Sequence, residues 1–249
     1  MSMRLDKALV DRRLVISRSQ AESWIKLGKV TVDGRVVTKA GHFVSDRTQI
    51  ELKVTDQYVS RAGLKLASVT ELLAIDFRGK TVLDVGSSTG GFTDYALQNG
   101  AKKVYAVDVG TDQLHPSLRS DERIELHEKT DIRDFIPTTT PDIVLIDVSF
   151  ISLREILPHL AHKVAGPETQ IVAMVKPQFE AGRNQTNKGV IKNDSVRRQI
   201  LKDFEVWAKE LFTIHDKRDS DIAGAKGNQE RFYLLTLNRN STTSPGRIT

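Results

Sequence analysis

Four charged residues, Lys65, Asp147, Lys176 and Glu230, stand where their side chains could act together. Lys176 directly follows the apolar run Ala173-Met174-Val175, and Asp147 follows Val144-Leu145-Ile146. Lys65 sits on a helical segment ahead of the first strongly apolar strand, and Glu230 opens the last strand, just before Arg231. A lysine beside a buried strand is unfavourable unless it is paired. If the last strand runs antiparallel to its neighbours, its start lies on the edge where the others end. Asp147, Lys176 and Glu230 then converge over whatever ligand the strand ends hold. Residue types and spacing leave another reading open, that of separate surface salt bridges.

A second constellation lies in Val82-Leu-Asp-Val-Gly-Ser-Ser-Thr-Gly-Gly-Phe92, an apolar strand running into glycines and then a helix. Such a turn lets backbone approach a ligand closely at the carboxyl end of a strand. The spacing Gly86-x-x-x-Gly90-Gly91 departs from the dinucleotide pattern G-x-G-x-x-G. Asp84 precedes the loop, and Asp147 is expected to end a strand beside it. Carboxylates there would repel a pyrophosphate and suit a cation, such as the sulfonium and ammonium of S-adenosylmethionine. The loop residues Gly86, Ser87, Ser88, Gly90, Gly91 and Phe92 are therefore candidate cofactor contacts. Asp108, with Val109 after it, ends the next strand, where a carboxylate can accept from both ribose hydroxyls. Asp131, followed by Ile132, is placed to meet the adenine amino group; its other reading is a solvated loop carboxylate.

These residues need a scaffold that brings strand ends together, and the chain alternates accordingly. Strands are expected at Thr81–Val85, Lys103–Val109, Arg123–His127, Asp142–Asp147, Gln170–Val175, Phe212–His215 and Arg231–Leu237. Helices fit near 91–99, 153–164 and 194–211, after one from Ser60 to about Ile75 with Leu64, Ala67, Leu72 and Leu73 inward. Alternation of this kind argues an α/β fold with a doubly wound, largely parallel sheet.

The first 58 residues read differently. A helix over 17–27 is capped by Ser17, which forms a capping box with Gln20, and stopped by Gly28. Trp24 reads as core. Asp33-Gly34 between β-branched runs predicts a tight hairpin, and a strand over Thr48–Val54 closes this small α+β unit. The domains expected are thus 1–58, 59–239 and a Ser/Thr/Pro/Gly-rich tail over 240–249 that reads as disordered. Of the chain's formal charge of +5, residues 1–60 carry +4, with 11 Lys/Arg against 7 Asp/Glu. A basic module suits a polyanionic partner, although a merely basic surface would read the same.

The composition excludes several classes. With no cysteine there are no disulfides, thiolate metal sites or cysteine nucleophiles, which fits a reducing cytoplasm. His159 and His162 at i, i+3 read as helix surface, and no metal site is expected. No apolar run reaches the roughly 20 residues of a membrane span, and the N-terminus lacks the apolar stretch of a secretory signal.

The N-terminal segments Arg4-Leu-Asp-Lys-Ala-Leu9, Ser17-Arg-Ser-Gln-Ala21 and Gly28-Lys-Val-Thr-Val-Asp-Gly34 resemble the alpha-L RNA-binding fold of ribosomal and tRNA-related proteins. The resemblance makes Arg4, Arg18, Lys26 and Lys29 candidates for RNA-backbone contact. The segment from about 60 to 238 resembles the FtsJ/RrmJ class of ribose methyltransferases, and nearly the whole chain resembles the TlyA family. The carrying motifs are Val59-Ser-Arg-Ala-Gly-Leu-Lys65, Asp84–Thr93, Asp147-Val-Ser-Phe-Ile-Ser-Leu153, Val175-Lys-Pro-Gln-Phe-Glu180 and Gly227-Asn-Gln-Glu230. The resemblance implies a Rossmann-like catalytic domain, S-adenosyl-L-methionine as methyl donor, ribose 2′-O-methylation of ribosomal RNA, typically at cytidine, and Lys65, Asp147, Lys176 and Glu230 as its catalytic tetrad. One departure is Arg61-Ala62-Gly63 where Arg-Gly-Gly is expected. Arg61, with Lys163 and the loop residues Arg183, Lys188 and Lys192, is a further candidate RNA contact; the loop Phe179–Asn193 reads as a flexible substrate-facing lid or as an ordinary mobile surface loop. Arg197 and Arg198 read as a solvated helix face. Two rival classes stand beside this reading. One is a membrane-active haemolysin, since TlyA proteins often carry that label; the other is an RNA-binding protein without catalysis.

Overall fold

A computed structural model describes residues 2–15, 18–26, 28–53, 58–182, 186, 189–191, 193–224 and 227–238. Ser17, Arg183, Lys188, Lys192 and the tail 240–249 lie outside the described residues, as does the end of the strand expected up to Val54. The chain forms two compact units, Met1–Leu64 and Lys65–Thr249.

The first unit comprises β1 (Ser2–Arg4), α1 (Leu5–Asp11), α2 (Arg18–Lys26), β2 (Val30–Val32), β3 (Arg35–Val36), β4 (Phe43–Ser45) and β5 (Ile50–Leu52). Two small antiparallel sheets result, β1-β4 and β3-β2-β5. The hairpin forms as its turn chemistry demands: Asp33 and Gly34 take φ of 48° and 78°, and Val32 pairs with Arg35. Helix α2 stops at Gly28, whose φ is 68°, and the amides of Gly28 and Lys29 donate back to the Ile25 and Trp24 carbonyls. Leu5, Leu9, Ala21, Trp24, Ile25 and Val30 are buried, which puts Trp24 in the core. The amide of Gln20 reaches the Tyr58 carbonyl at 2.6 Å. The division between units falls within α3 (Arg61–Thr70), beyond the expected boundary at 58. This helix ends five residues earlier than the periodicity suggests, because the chain turns through Ala74 at a φ of 51°. Leu72 is consequently exposed, and Leu66 and Val69 take the inward places.

The second unit is built from β6 (Thr81–Val85), α4 (Gly91–Gln98), β7 (Lys103–Val107), α5 (Pro116–Arg119), β8 (Ile124–His127), β9 (Ile143–Ile146), α6 (Leu153–His159), β10 (Gln170–Val175), α7 (Pro177–Glu180), α8 (Asp194–Ala208), β11 (Phe212–Asp219) and β12 (Arg231–Leu237). Its seven strands lie in the order β11-β12-β10-β9-β6-β7-β8. The central strands are parallel, while β12 runs antiparallel to both β10 and β11. β6, β9 and β10 are near-continuous apolar runs because helices cover both faces of a parallel sheet. Strand β11 runs four residues past the expected end, through Asp216-Lys-Arg-Asp219, with an irregularity between Ile214 and Asp216. An edge strand tolerates such charge because one side of it faces water. The helix expected over 153–164 is α-helical only to His159 and continues as a π turn over Leu160–Val164. His159 and His162 each bond a backbone carbonyl there, of Phe135 and Pro158.

Candidate active site

The chain leaves β6 in the centre of the sheet, builds β7 and β8 to one side, then returns to lay down β9 and β10 on the other. A crevice opens outside the carboxyl ends of the strands where the order reverses. A cavity of about 360 Å³ occupies that place, with walls from the ends of β6, β7 and β9 and the loops after them. Gly86 turns the chain off β6 with a φ of 80°; a Cβ there would stand 2.7 Å from the Asp147 carbonyl oxygen. Only glycine fits both the angle and the approach.

Two lysine–carboxylate pairs stand on the same edge of the sheet. Lys65 Nζ lies 2.5 Å from Glu230 Oε2, and both side chains are buried. Lys176 Nζ lies 2.6 Å from Asp147 Oδ1 and donates to Ser149 Oγ at 2.8 Å. Strand register explains the alignment. Val175 pairs with Arg231 across the antiparallel β10–β12 ladder, so the next step brings Lys176 level with Glu230. Ala173 pairs with Ile146 across the parallel β9–β10 ladder, and three further steps bring Lys176 level with Ser149. The Glu230 backbone is held from both sides: Ser220 N–H donates to its carbonyl, and Arg197 Nε donates to the carbonyl of Gln229. Arg197 is also paired with Asp219 at 2.6 Å, so it belongs to this framework and not to a solvated face.

Of the expected cofactor contacts, Gly86, Ser88, Asp108, Val109, Asp131, Ile132 and Asp147 line the cavity. Asp108 accepts from the Ser88 amide at 2.8 Å and the Gly110 amide at 2.7 Å, one on each oxygen. Each oxygen keeps a lone pair for a further donor. Asp131 caps the short 3-10 turn Ile132–Asp134, and the Arg133 guanidinium grips both its oxygens at 3.0 and 2.7 Å. That pairing holds its carboxyl below the usual range and competes with the expected adenine contact.

Five expected contacts do not line the cavity. Asp84 is fully buried beneath the loop; its Oδ2 accepts from the Thr93 amide at 2.9 Å and the Thr93 hydroxyl at 2.7 Å, so it caps α4 instead of facing a ligand. Burial pushes this carboxyl up to about 7, and the negative charges of Asp147 and Asp108 add to the effect. Ser87 is also buried, and its hydroxyl has no partner among the described residues. Gly90 and Gly91 serve the turn into α4, with Gly90 at a φ of 89° packed under Leu114 and Leu118. Phe92 points into the core against Phe232, with ring centroids 6.1 Å apart.

The FtsJ-like methyltransferase family profile matches residues 58–238, and an S4 domain profile matches residues 3–50. The chain belongs to the FtsJ-like methyltransferase family. It is a methyltransferase with S-adenosyl-L-methionine as its methyl donor. Among relatives of this family member, the 23S rRNA (cytidine-2′-O)-methyltransferase TlyA of Campylobacter jejuni is 36% identical over 95% of this chain and 100% of its own length. The 16S/23S rRNA (cytidine-2′-O)-methyltransferase TlyA of Mycobacterium tuberculosis is 40% identical over 93% and 89%. Hemolysin A of Brachyspira hyodysenteriae is 39% identical over 92% and 97%. A solved structure from Streptococcus thermophilus that carries the hemolysin label superposes with a TM-score of 0.72 at 39% identity, covering 96% of this chain and 89% of that one.

The cavity suits this methyl donor. Asp108, Asp131 and Asp147 give it carboxylate oxygens, the last two shared with Arg133 and Lys176, and Val109, Ile132 and Ile151 give it apolar walls for a nucleoside. Sequence reasoning missed most of the wall over Val148–Ile151, and Gln113, whose side chain accepts from Ser88 Oγ at 3.1 Å. The first group directly follows β9, so it was open to discovery as the loop of a strand end. Gln113 lies in an irregular loop after β7, and nothing in its local sequence marks it.

In the first unit, Arg4 and Arg18 converge on fully buried Asp6, at 3.0 and 2.7 Å, while Lys26 and Lys29 are exposed. Arg12, which sequence reasoning passed over, is spent on the Thr48, Ser45 and Asp46 carbonyls. Arg61 is half-buried at the start of α3, and Lys163 is exposed. The described part of the loop expected as a lid is anchored: Asn228 donates to the Gly189 carbonyl at 2.9 Å and accepts from the Ile191 amide at 3.1 Å.

Proposed function

We propose that this chain methylates the ribose 2′-hydroxyl of cytidine in ribosomal RNA, in the cytoplasm, with Lys65, Asp147, Lys176 and Glu230 as its catalytic residues. The observation that carries the reading is the alignment of two buried lysine–carboxylate pairs on the sheet edge that also bounds the cofactor cavity. The full-length likeness to two cytidine-2′-O-methyltransferases supports the same substrate.

When bound, S-adenosylmethionine supplies a methyl group already activated on sulfur, so the protein's task is positioning and proton handling. Asp108 and the Gly86–Ser88 backbone would hold its nucleoside, with Asp131 and Ile132 as further contacts. Lys176, fixed by Asp147 and Ser149, holds the ribose 2′-oxygen by donating a hydrogen bond. The Lys176–Asp147 pair takes up the proton that the hydroxyl loses. Lys65 and Glu230 orient the nucleophile from the neighbouring strand. The basic first unit holds the RNA backbone through Arg4, Arg18, Lys26 and Lys29, contacts that position without reading sequence. Arg61, Arg183 and Lys188 are further RNA contacts in this reading.

Some relatives carry a hemolysin label; among the described residues no helix is long and apolar enough to cross a membrane. The test is incubation of the protein with unmodified ribosomal subunits and labelled methyl donor, followed by mapping of the methylated nucleotide. Label on a cytidine ribose is expected; label on a base, or on protein alone, overturns the reading.

A further inference from the structure

The loops after β9 and β10 meet along one wall of the cavity, and a carboxylate outside the catalytic set joins them. Glu180 closes α7, and its side chain is 1% exposed. Its Oε2 accepts from Ser152 Oγ at 2.6 Å, and its Oε1 accepts from the Leu153 amide at 2.7 Å. Arg154 Nε stands 3.7 Å from Oε2. Ser152 is itself the cap of α6, accepting from the Arg154 amide. Both donors lie where the loop from Asp147 enters α6, so Glu180 fixes the far end of that loop. Lys176 fixes its near end through Asp147 and Ser149. Between them the Phe179 and Phe150 rings pack with centroids 5.2 Å apart. The segment held this way, Asp147–Ile151, is continuous cavity wall. Burial raises the Glu180 carboxyl, and the Ser152 and Leu153 hydrogen bonds oppose that. Enclosing a carboxylate is unfavourable, and a neutral side chain would suit a merely packed position better.

We infer that Glu180 is a positioning residue for methyl transfer, which clamps the Asp147–Ile151 wall through Ser152 and Leu153 and thereby holds Asp147 in line with both Lys176 and the bound methyl donor. It touches neither. The inference rests on the methyltransferase reading of the cavity.

The test compares full-length Glu180→Ala, Glu180→Gln and Ser152→Ala with the unmodified protein. S-adenosylmethionine binding is read by calorimetry, methyl transfer by single turnover on unmodified ribosomal subunits at saturating cofactor, and folding by Tm. Glu180→Ala is expected to weaken cofactor binding about tenfold and slow single turnover about 10- to 100-fold, the scale of losing a positioning contact. Glu180→Gln keeps a carbonyl acceptor for the Leu153 amide and should return to within about threefold of the unmodified protein. Ser152→Ala should fall between them. A purely structural role moves Tm alone, so a folded Glu180→Ala protein with cofactor affinity and single-turnover rate within twofold of the original overturns the inference. If Glu180→Ala does not fold, unchanged binding and transfer in both Glu180→Gln and Ser152→Ala overturn it equally. Loss of cofactor affinity in Glu180→Ala, combined with no ribosomal methylation by the unmodified protein, would keep the clamp and overturn the proposed substrate.

Discussion

The two units handle their cations in opposite ways. In the first, Arg4 and Arg18 share the buried Asp6 but leave 48% and 57% of their own side chains in water. In the second, Lys65 and Lys176 are enclosed with their carboxylates, each with 10% of its side chain exposed. A guanidinium left in water still acts on a distant phosphate, and its action is screened by salt. An ammonium enclosed with its counter-charge has little long-range field, but its position is defined. The first arrangement suits capture of a polyanion, the second suits geometry at a reacting atom.

The sharpest way to break this contrast is at Lys176. Lys176→Ala should lower methyl transfer by at least about 1000-fold, as removal of a transition-state contact does, while cofactor affinity by calorimetry stays within a few-fold. Near-normal labelled-methyl transfer by that protein would mean the enclosed pair is only structural. Gly86→Ala should come next. Its new Cβ meets the Asp147 carbonyl oxygen at 2.7 Å on a backbone with a φ of 80°, so cofactor binding should fall by about tenfold or more and Tm by several degrees. Cofactor titration together with a melt checks both.

Substitution in the exposed set should act on affinity alone. Lys26→Ala with Lys29→Ala, both exposed, should weaken RNA binding and reduce the log–log salt dependence by about two phosphate contacts, with single turnover at saturating RNA unchanged. A fall in the saturated rate would show that the first unit takes part in the chemistry.

The smallest effects separate two fully buried carboxyls. The Arg4 hydrogen bonds, with help from Arg18 and the Lys7 amide, hold Asp6 at about 2 against burial, whereas desolvation pushes Asp84, which accepts from the neutral donors of Thr93, to about 7. The folded pKa of Asp6 is depressed, so its stabilisation is present above about 4 and is lost as pH falls through about 2. The folded pKa of Asp84 is raised, so its contribution is complete below about 4 and is lost as pH rises through about 7. Asp84→Asn should therefore gain on the unmodified protein by roughly 4 to 8 °C in Tm between pH 5.5 and 8.5. Asp6→Asn should show no such trend over that range. Parallel Tm–pH curves for Asp84→Asn and the unmodified protein would refute the assignment.

Much of this was legible from the chain alone. The strand at Thr81–Val85, the hairpin at Asp33-Gly34 and the stop at Gly28 each follow from strong local rules: an apolar parallel-strand run, a turn that needs positive φ twice, and a left-handed helix end. Positions 147, 176 and 230 stood out as charges at the ends of strands, and position 65 was marked only by the family resemblance of the motif around it. Asp84 and Phe92 misled, because a motif names residues without saying which way each side chain points. Alternation along β6 and the turn at Gly86 sent Asp84 beneath the loop to cap α4, and the pitch of α4 sent Phe92 to Phe232. Arg197 misled for a related reason: a helix face looks solvated until Asp219 and the Gln229 carbonyl are brought to it by distant strands.

Local sequence therefore determined which elements form, where they turn and which charged residues required partners. Pairing was decided only by the tertiary structure. Lys65 meets Glu230 across most of the length of the catalytic unit because β12 inserts antiparallel beside β10, and sheet register is a long-range property that no local window contains. The same holds for Glu180 and Ser152, which are joined by two parallel strands ending at one edge. Residue types set what chemistry was available, and register set which of those residues could perform it together.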